Sequence, residues 1–254
     1  MKLLGFDTAT SATAVALLDS ATGAVHARRD DPAPGVRPRH TTRLLALIAE
    51  VMRDAGTGWG AIDRIAVGTG PGTFTGLRIG VATARALARA RDVELVGIST
   101  LHALALAAAD EARPEEGTVA AVIDARRGEL FAAAWGIEDV AVPDGEPLLA
   151  PAAFAPDELL ARMRALGPGL LAAGDGASAQ ARALQDAGVR IADENRVCAA
   201  AHCRLAARES LASGLPGSPG SPGSPGSPRS PDAVLPDYLR APDAELKLRT
   251  AVRA

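Results

Sequence analysis

A short apolar strand ending in aspartate, a tight connection and a returning apolar strand occur twice in this chain. The first copy is Leu3-Leu4-Gly5-Phe6-Asp7 followed by Ala12 to Leu17. The second is Ala120-Ala121-Val122-Ile123-Asp124 followed by Glu129 to Ala134. Such an echo points to a duplicated domain in which each copy starts its own sheet; chance similarity of two hairpins is the alternative. At 254 residues the chain has room for one large unit or two small ones with real cores.

The core has to be aliphatic. Hydrophobic residues make up 48% of the chain but aromatic ones only 3%. The formal net charge of −3 excludes a uniformly basic nucleic-acid binder, though not a local basic face. Among the 27 basic residues only Lys2 and Lys247 are lysines. No apolar run approaches the roughly 18 residues of a membrane span. The first acid, Asp7, comes too early for a signal-peptide core. Cys198 and Cys203 are too few for a disulfide framework. Their spacing turns them to different faces of a helix, against a disulfide, and so small a number fits a reducing cytoplasm.

Patterning along the chain predicts strands at Leu3–Phe6, Ala12–Leu18 and Ala24–Arg28 as an antiparallel meander, then a proline-rich loop from Asp30 to Pro38. Thr41 or Thr42 is placed to cap a helix ending at Ala55, with Gly56 as its stop. A strand at Arg64–Gly68, the Gly-rich loop to Gly76, a helix over Leu77–Arg91 and a strand at Glu94–Ile98 follow. The second half reads as a helix at Thr100–Glu111 and strands at Thr118–Ile123, Glu129–Trp135 and Leu170–Ala173. Further helices are expected at Asp157–Leu166, Ala177–Ala187 and Val197–Ser213. The Pro-Gly-Ser repeat over Pro216–Pro231 reads as a linker that cannot form a core.

The candidate chemistry sits in two stretches. The loop Gly68-Thr69-Gly70-Pro71-Gly72-Thr73 joins a strand to a helix, as an anion site does. It lacks the lysine of a P-loop and the glycine spacing of a dinucleotide fingerprint, so a tight packing turn is equally open. Asp7-Thr8-Ala9-Thr10 is an acid at a strand end followed by hydroxyls. A phosphate-binding turn would usually carry glycine where Ala9 stands, and a plain Asx turn is the alternative. Asp7, Thr8, Gly70, Gly72 and Thr73 are therefore the candidate nucleotide or phosphate contacts. Histidines 26, 40, 102 and 202 form no His-x-x-x-His pair, so no metal site is expected; of the four, His40 merits attention. No Gly-x-Ser-x-Gly elbow occurs.

The two helices in the first half are apolar around much of their circumference. One side can pack on a sheet, and the other can meet a partner or be buried in the same chain. Arg78, Arg85 and Arg89 form a basic stripe, read as a tRNA or partner contact against the alternative of a solvated face.

Together, the opening LLGFDTATSATAVALLD, GTGPGTFTGLRIG at Gly68–Gly80, GISTL at Gly97–Leu101, DARRGELF at Asp124–Phe131 and PDYLR at Pro236–Arg240 resemble the TsaB family of tRNA threonylcarbamoyladenosine biosynthesis proteins. The resemblance implies an α/β actin/Hsp70/sugar-kinase-like fold of two duplicated subdomains with mixed sheets flanked by helices. The divisions expected are 1–99, 100–215, the linker 216–231 and a tail 232–254 that docks back. It implies kinship with TsaD, the subunit that transfers a threonylcarbamoyl group to adenosine in ANN-decoding tRNAs.

TsaD-like proteins carry a metal-binding His-x-x-x-His that this chain lacks. The resemblance therefore implies a non-catalytic cytoplasmic subunit that supports TsaD together with TsaE and reaches tRNA through the complex. The TsaD-facing surface would be the two helices, through Leu44, Leu47, Ile48, Val51, Ile79, Gly80, Thr83, Ala84 and Leu87. Alone, the chain would homodimerise through the same surface. No cofactor of its own is implied; an ATP or ADP would sit at a subunit boundary. The alternatives are a nucleotide-dependent or peptidase-like enzyme of the same fold, and a tRNA-binding module acting alone.

Overall fold

Two five-stranded mixed sheets of identical topology organise the chain. The computed structural model describes residues 1–33, 35–114, 116–193, 196–212 and 231–239. The Pro-Gly-Ser repeat up to Ser230 and the chain from Arg240 onward lie outside the described residues.

The first unit runs β1 (Lys2–Asp7), β2 (Thr13–Asp19), β3 (Ala24–Asp30), α1 (His40–Asp54), β4 (Arg64–Gly70), α2 (Phe74–Arg91), β5 (Glu94–Ser99) and α3 (Thr100–Ala112). The second runs β6 (Thr118–Arg126), β7 (Glu129–Gly136), β8 (Leu149–Phe154), α4 (Pro156–Ala165), β9 (Leu170–Ala173), α5 (Asp175–Ala179), α6 (Ala181–Asp186), β10 (Arg190–Ile191) and α7 (Ala199–Ala212). The first sheet is ordered β3-β2-β1-β4-β5 and the second β8-β7-β6-β9-β10. In each, the first three strands form an antiparallel meander and the last two join the central strand in parallel. The duplicated hairpins of the sequence, β1–β2 and β6–β7, hold equivalent places. This is a duplicated α/β arrangement of two mixed sheets flanked by helices.

The units exchange their last helices. α3 packs on β6, β7 and β9 of the second sheet, α7 packs on β1, β2 and β4 of the first, and the two helices touch. This exchange places a central helical layer between the sheets, with Leu101, Leu104, Ala201 and Leu205 in its core. On the outer face of the first sheet, Leu44, Leu47, Ile48 and Val51 of α1 and Val81 and Ala84 of α2 pack against Leu4, Phe6, Val15, Ile65 and Val67. α4 and α6 cover the second sheet through Leu159, Met163 and Leu184. Both cysteines are free; burial pushes the Cys203 thiol up to about 12 and leaves it inert.

Local details depart from the sequence reading. α1 starts at His40 with Arg39 at its N-cap and no side-chain cap, and Thr42 Oγ1 instead donates to the Arg39 carbonyl. α2 starts three residues earlier than expected because Thr73 Oγ1 accepts from Gly76 N and caps it. The helix expected over Ala177–Ala187 breaks at Gln180 into α5 and α6. β8 and β10 went unread. β8 carries Pro151, which is tolerated because β8 is an edge strand.

Candidate functional site

The β1–β2 turn and the Gly-rich loop meet the first turn of α3 and the side chain of a distant helix, α7. Asp7 ends β1. Its Oδ1 accepts from Ala9 N at 2.6 Å, and its Oδ2 accepts from Thr100 Oγ1 at 2.7 Å and from His202 Nε2 at 3.0 Å. The His202 Nδ1 lies 3.1 Å from the Cys198 carbonyl. Both ring nitrogens therefore face oxygen atoms of the chain itself. The Asp7 and His202 side chains are 1% and 0% exposed. Burial works to raise the Asp7 pKa. The hydrogen bond and charge of His202, with Thr100 and Ala9, outweigh it and hold the carboxyl below its usual range.

The rest of the turn is stitched to the Gly-rich loop. Thr8 Oγ1 donates to the Gly76 carbonyl at 2.7 Å, Thr73 N donates to the Ala9 carbonyl at 2.7 Å, and Gly70 N donates to Thr100 Oγ1 at 3.1 Å. The glycines make this approach possible. A Cβ at Gly68 would overlap the Asp7 carboxylate, one at Gly72 the Ala9 backbone, and one at Gly80 the Thr8 hydroxyl. The five candidate phosphate contacts are thus brought together but turned inward. Asp7, Thr8, Gly70 and Thr73 spend polar groups on their neighbours, and Gly72 packs on Ala9. What the sequence presents as phosphate-binding parts is bonded here into an internal clasp of the first unit, which Asp7 alone extends to the second through His202.

Sequence reasoning missed His202 and Thr100. His202 lies 195 positions from Asp7, and nothing local marks it. His40, singled out earlier, is buried with Nδ1 2.9 Å from Thr13 Oγ1. Burial lowers its pKa, opposed by the charge of Asp7, the Thr10 backbone and the charge of Asp30. Among the described residues no group of three or more His, Cys, Asp or Glu is placed to hold a metal ion.

The proposed partner surface needs correcting. Leu44, Leu47, Ile48, Val51, Gly80 and Ala84 belong to the chain's own core, so a partner cannot reach them. Ile79, Thr83 and Leu87 remain half-exposed. The outer face of the pair is carried by Leu45, which is 55% exposed, with Ala49, Ala82 and Ala86.

The arginine stripe is not open either, because residues 231–239 return across α2. Asp232 pairs with both Arg85 and Arg89. Arg78 lies 3.7 Å over the Phe74 ring and donates from Nε to the Tyr238 hydroxyl at 3.3 Å. Phe74 and Tyr238 lie 5.3 Å apart. Asp237 N donates to the Thr69 carbonyl at 2.7 Å, and Val234 is buried against Gly97.

Comparison with known proteins places this architecture. The family model of TsaD, tRNA N6-adenosine threonylcarbamoyltransferase, matches residues 31–162, just over half of the chain. The tRNA threonylcarbamoyladenosine biosynthesis protein TsaB of Escherichia coli K12 is 36% identical over 148 residues, 58% of this chain and 60% of that protein. The chain belongs to this TsaD-related family, in its TsaB branch. A Pseudomonas aeruginosa crystal structure, described as an uncharacterized protein with similarity to peptidase YEAZ, is 30% identical with a TM-score of 0.71. The match covers 94% of this chain and 99% of that one. The kinship extends to a TsaD-named transferase from Bradyrhizobium diazoefficiens, 33% identical over 121 residues, 42% of this chain and 34% of that protein. The chain spans 50% to 60% of the length of the curated TsaB relatives it matches. No helix among the described residues is long and apolar enough to cross a membrane.

Proposed function

We propose that this TsaB-family chain is a non-catalytic subunit for threonylcarbamoyladenosine formation in ANN-decoding tRNAs. It scaffolds and activates a TsaD-type transferase together with TsaE in the cytoplasm. The observation that carries the reading is the internal clasp: Asp7, Thr8, Gly70 and Thr73 bond to the chain itself, where a phosphate-handling enzyme would turn them to a ligand. The names of the TsaB relatives supply the pathway.

In this reading the partner meets the outer face of α1 and α2 at Leu45, Ala49, Ile79, Ala82, Thr83, Ala86 and Leu87. Small side chains there let a partner's helices come close. The same face closes a homodimer when the subunit is alone. tRNA is reached through the complex, and an ATP or ADP belongs to the subunit boundary.

Co-purification with the cognate TsaD-type subunit tests this. A stable complex that competes with the homodimer is expected. A chain that stays monomeric and ignores that subunit overturns the reading, and unaided turnover of a nucleotide or peptide would favour the enzyme alternative.

A further inference from the structure

We infer that Arg85 and Arg89 form a docking site for an acidic side chain of a protein partner, and that Asp232 fills this site in cis until the partner arrives. The inference builds on the reading of α2 as a partner-facing helix and adds the chemistry of one contact.

The two arginines stand one helical turn apart and converge on the same carboxylate oxygen, Oδ1 of Asp232; Arg85 Nη2 reaches it at 2.6 Å. A second Arg85 bond goes to the Asp232 carbonyl at 3.2 Å. Donors remain in excess, since Arg85 Nε is buried with no hydrogen-bond partner. A pair of guanidiniums focused on one point is built for a carboxylate, and one aspartate does not saturate it.

The occupant is easily exchanged. Asp232 is 58% exposed, and ion pairs at such sites are weak and salt-sensitive. Its release would leave the rest of the segment anchored through Val234, the Asp237–Thr69 bond and the Tyr238–Phe74 contact.

The surroundings favour protein over nucleic acid. Beside the arginines α2 exposes Ala82, Ala86 and Ala90. RNA would require a broad basic field, whereas Arg78 is held against Phe74 and Tyr238 and Arg91 lies over the Trp59 ring, which leaves the Arg85–Arg89 pair.

Calorimetry of the full chain at low salt, with a hexaglutamate peptide as probe, tests the site directly. Asp232→Ala should bind the peptide at least about fivefold more tightly than the unaltered chain, and the gain should fade with added salt. Adding Arg85→Ala and Arg89→Ala should abolish it. Equal binding by all three chains overturns the inference. So does a preference of the Asp232→Ala chain for oligouridylate over hexaglutamate, which would mark an RNA site.

Binding to the TsaD-type subunit separates this from the broader reading. If that subunit binds equally well with and without Arg85 and Arg89, the site is refuted while the reading stands. If the subunit never binds but the peptide gain persists, the site stands and the reading falls.

Discussion

His202 Nε2 lies 3.0 Å from Asp7 Oδ2, with neither side chain in contact with solvent. One residue ends the first strand of the first unit and the other sits on the helix that the second unit lends to the first sheet. The pair therefore ties together segments from opposite ends of the chain, and Thr100, at the junction between the units, completes it. Removing His202 leaves the buried Asp7 carboxylate without one of its hydrogen-bond partners. His202→Ala should cost about 3–5 kcal/mol of folding stability. A double-mutant cycle with Asp7→Asn, followed by denaturant unfolding, should show strong coupling between the two positions.

The same pair sets part of the acid limit. Asp7 titrates lower in the folded chain than in the unfolded one, so its contribution is present above about pH 4 and is lost as pH falls through the depressed folded value. His40 and His102 add an earlier slope. Burial lowers both, so each contributes stability above its unfolded value near 6.5, lost as pH falls through its lowered folded value. Stability measured against pH should begin to fall below about 6.5 and steepen below about 4. Asp7→Asn should shrink the lower step and, by removing a charge that raises the His40 pKa, enlarge the His40 part of the upper slope.

The two faces of α1 should answer differently to charge. Leu47 is buried in the core, and even Leu47→Ala should cost about 2–5 kcal/mol, so a glutamate there reports on folding and not on docking. Leu45→Glu on the outer face should change stability by less than about 0.5 kcal/mol and still abolish association with the TsaD-type subunit. Thermal unfolding and pull-down on the same preparations separate the two effects.

Gly80 is expected to resist substitution although it lies on a helix, where alanine is usually the better residue. A Cβ there would collide with the Thr8 hydroxyl, which is held by the Gly76 carbonyl. Gly80→Ala should destabilise by roughly 1–3 kcal/mol, measurable by urea unfolding.

The duplicated architecture was legible because a strand's burial pattern is written in consecutive residues. Leu3–Asp7 and Ala120–Asp124 look alike and take equivalent places in their sheets. The edge strands β8 and β10 were not legible, one carrying a proline and the other only two residues long. The all-round apolar character of α1 predicts a buried side without saying which side, so Leu44 and Leu47 were assigned outward and Leu45 overlooked. The inward bonding of the candidate phosphate turn was illegible for another reason. Its residue types suit a ligand, but whether they face one depends on Thr100 and His202, which only the fold brings to Asp7.

The most direct test is threonylcarbamoylation of an unmodified ANN-decoding tRNA in a mixture of the cognate TsaD-type subunit and TsaE, with and without this chain. The account predicts modified adenosine only when the chain is added, and none from the chain alone. Equal product without the chain, or product from the chain by itself, would contradict it.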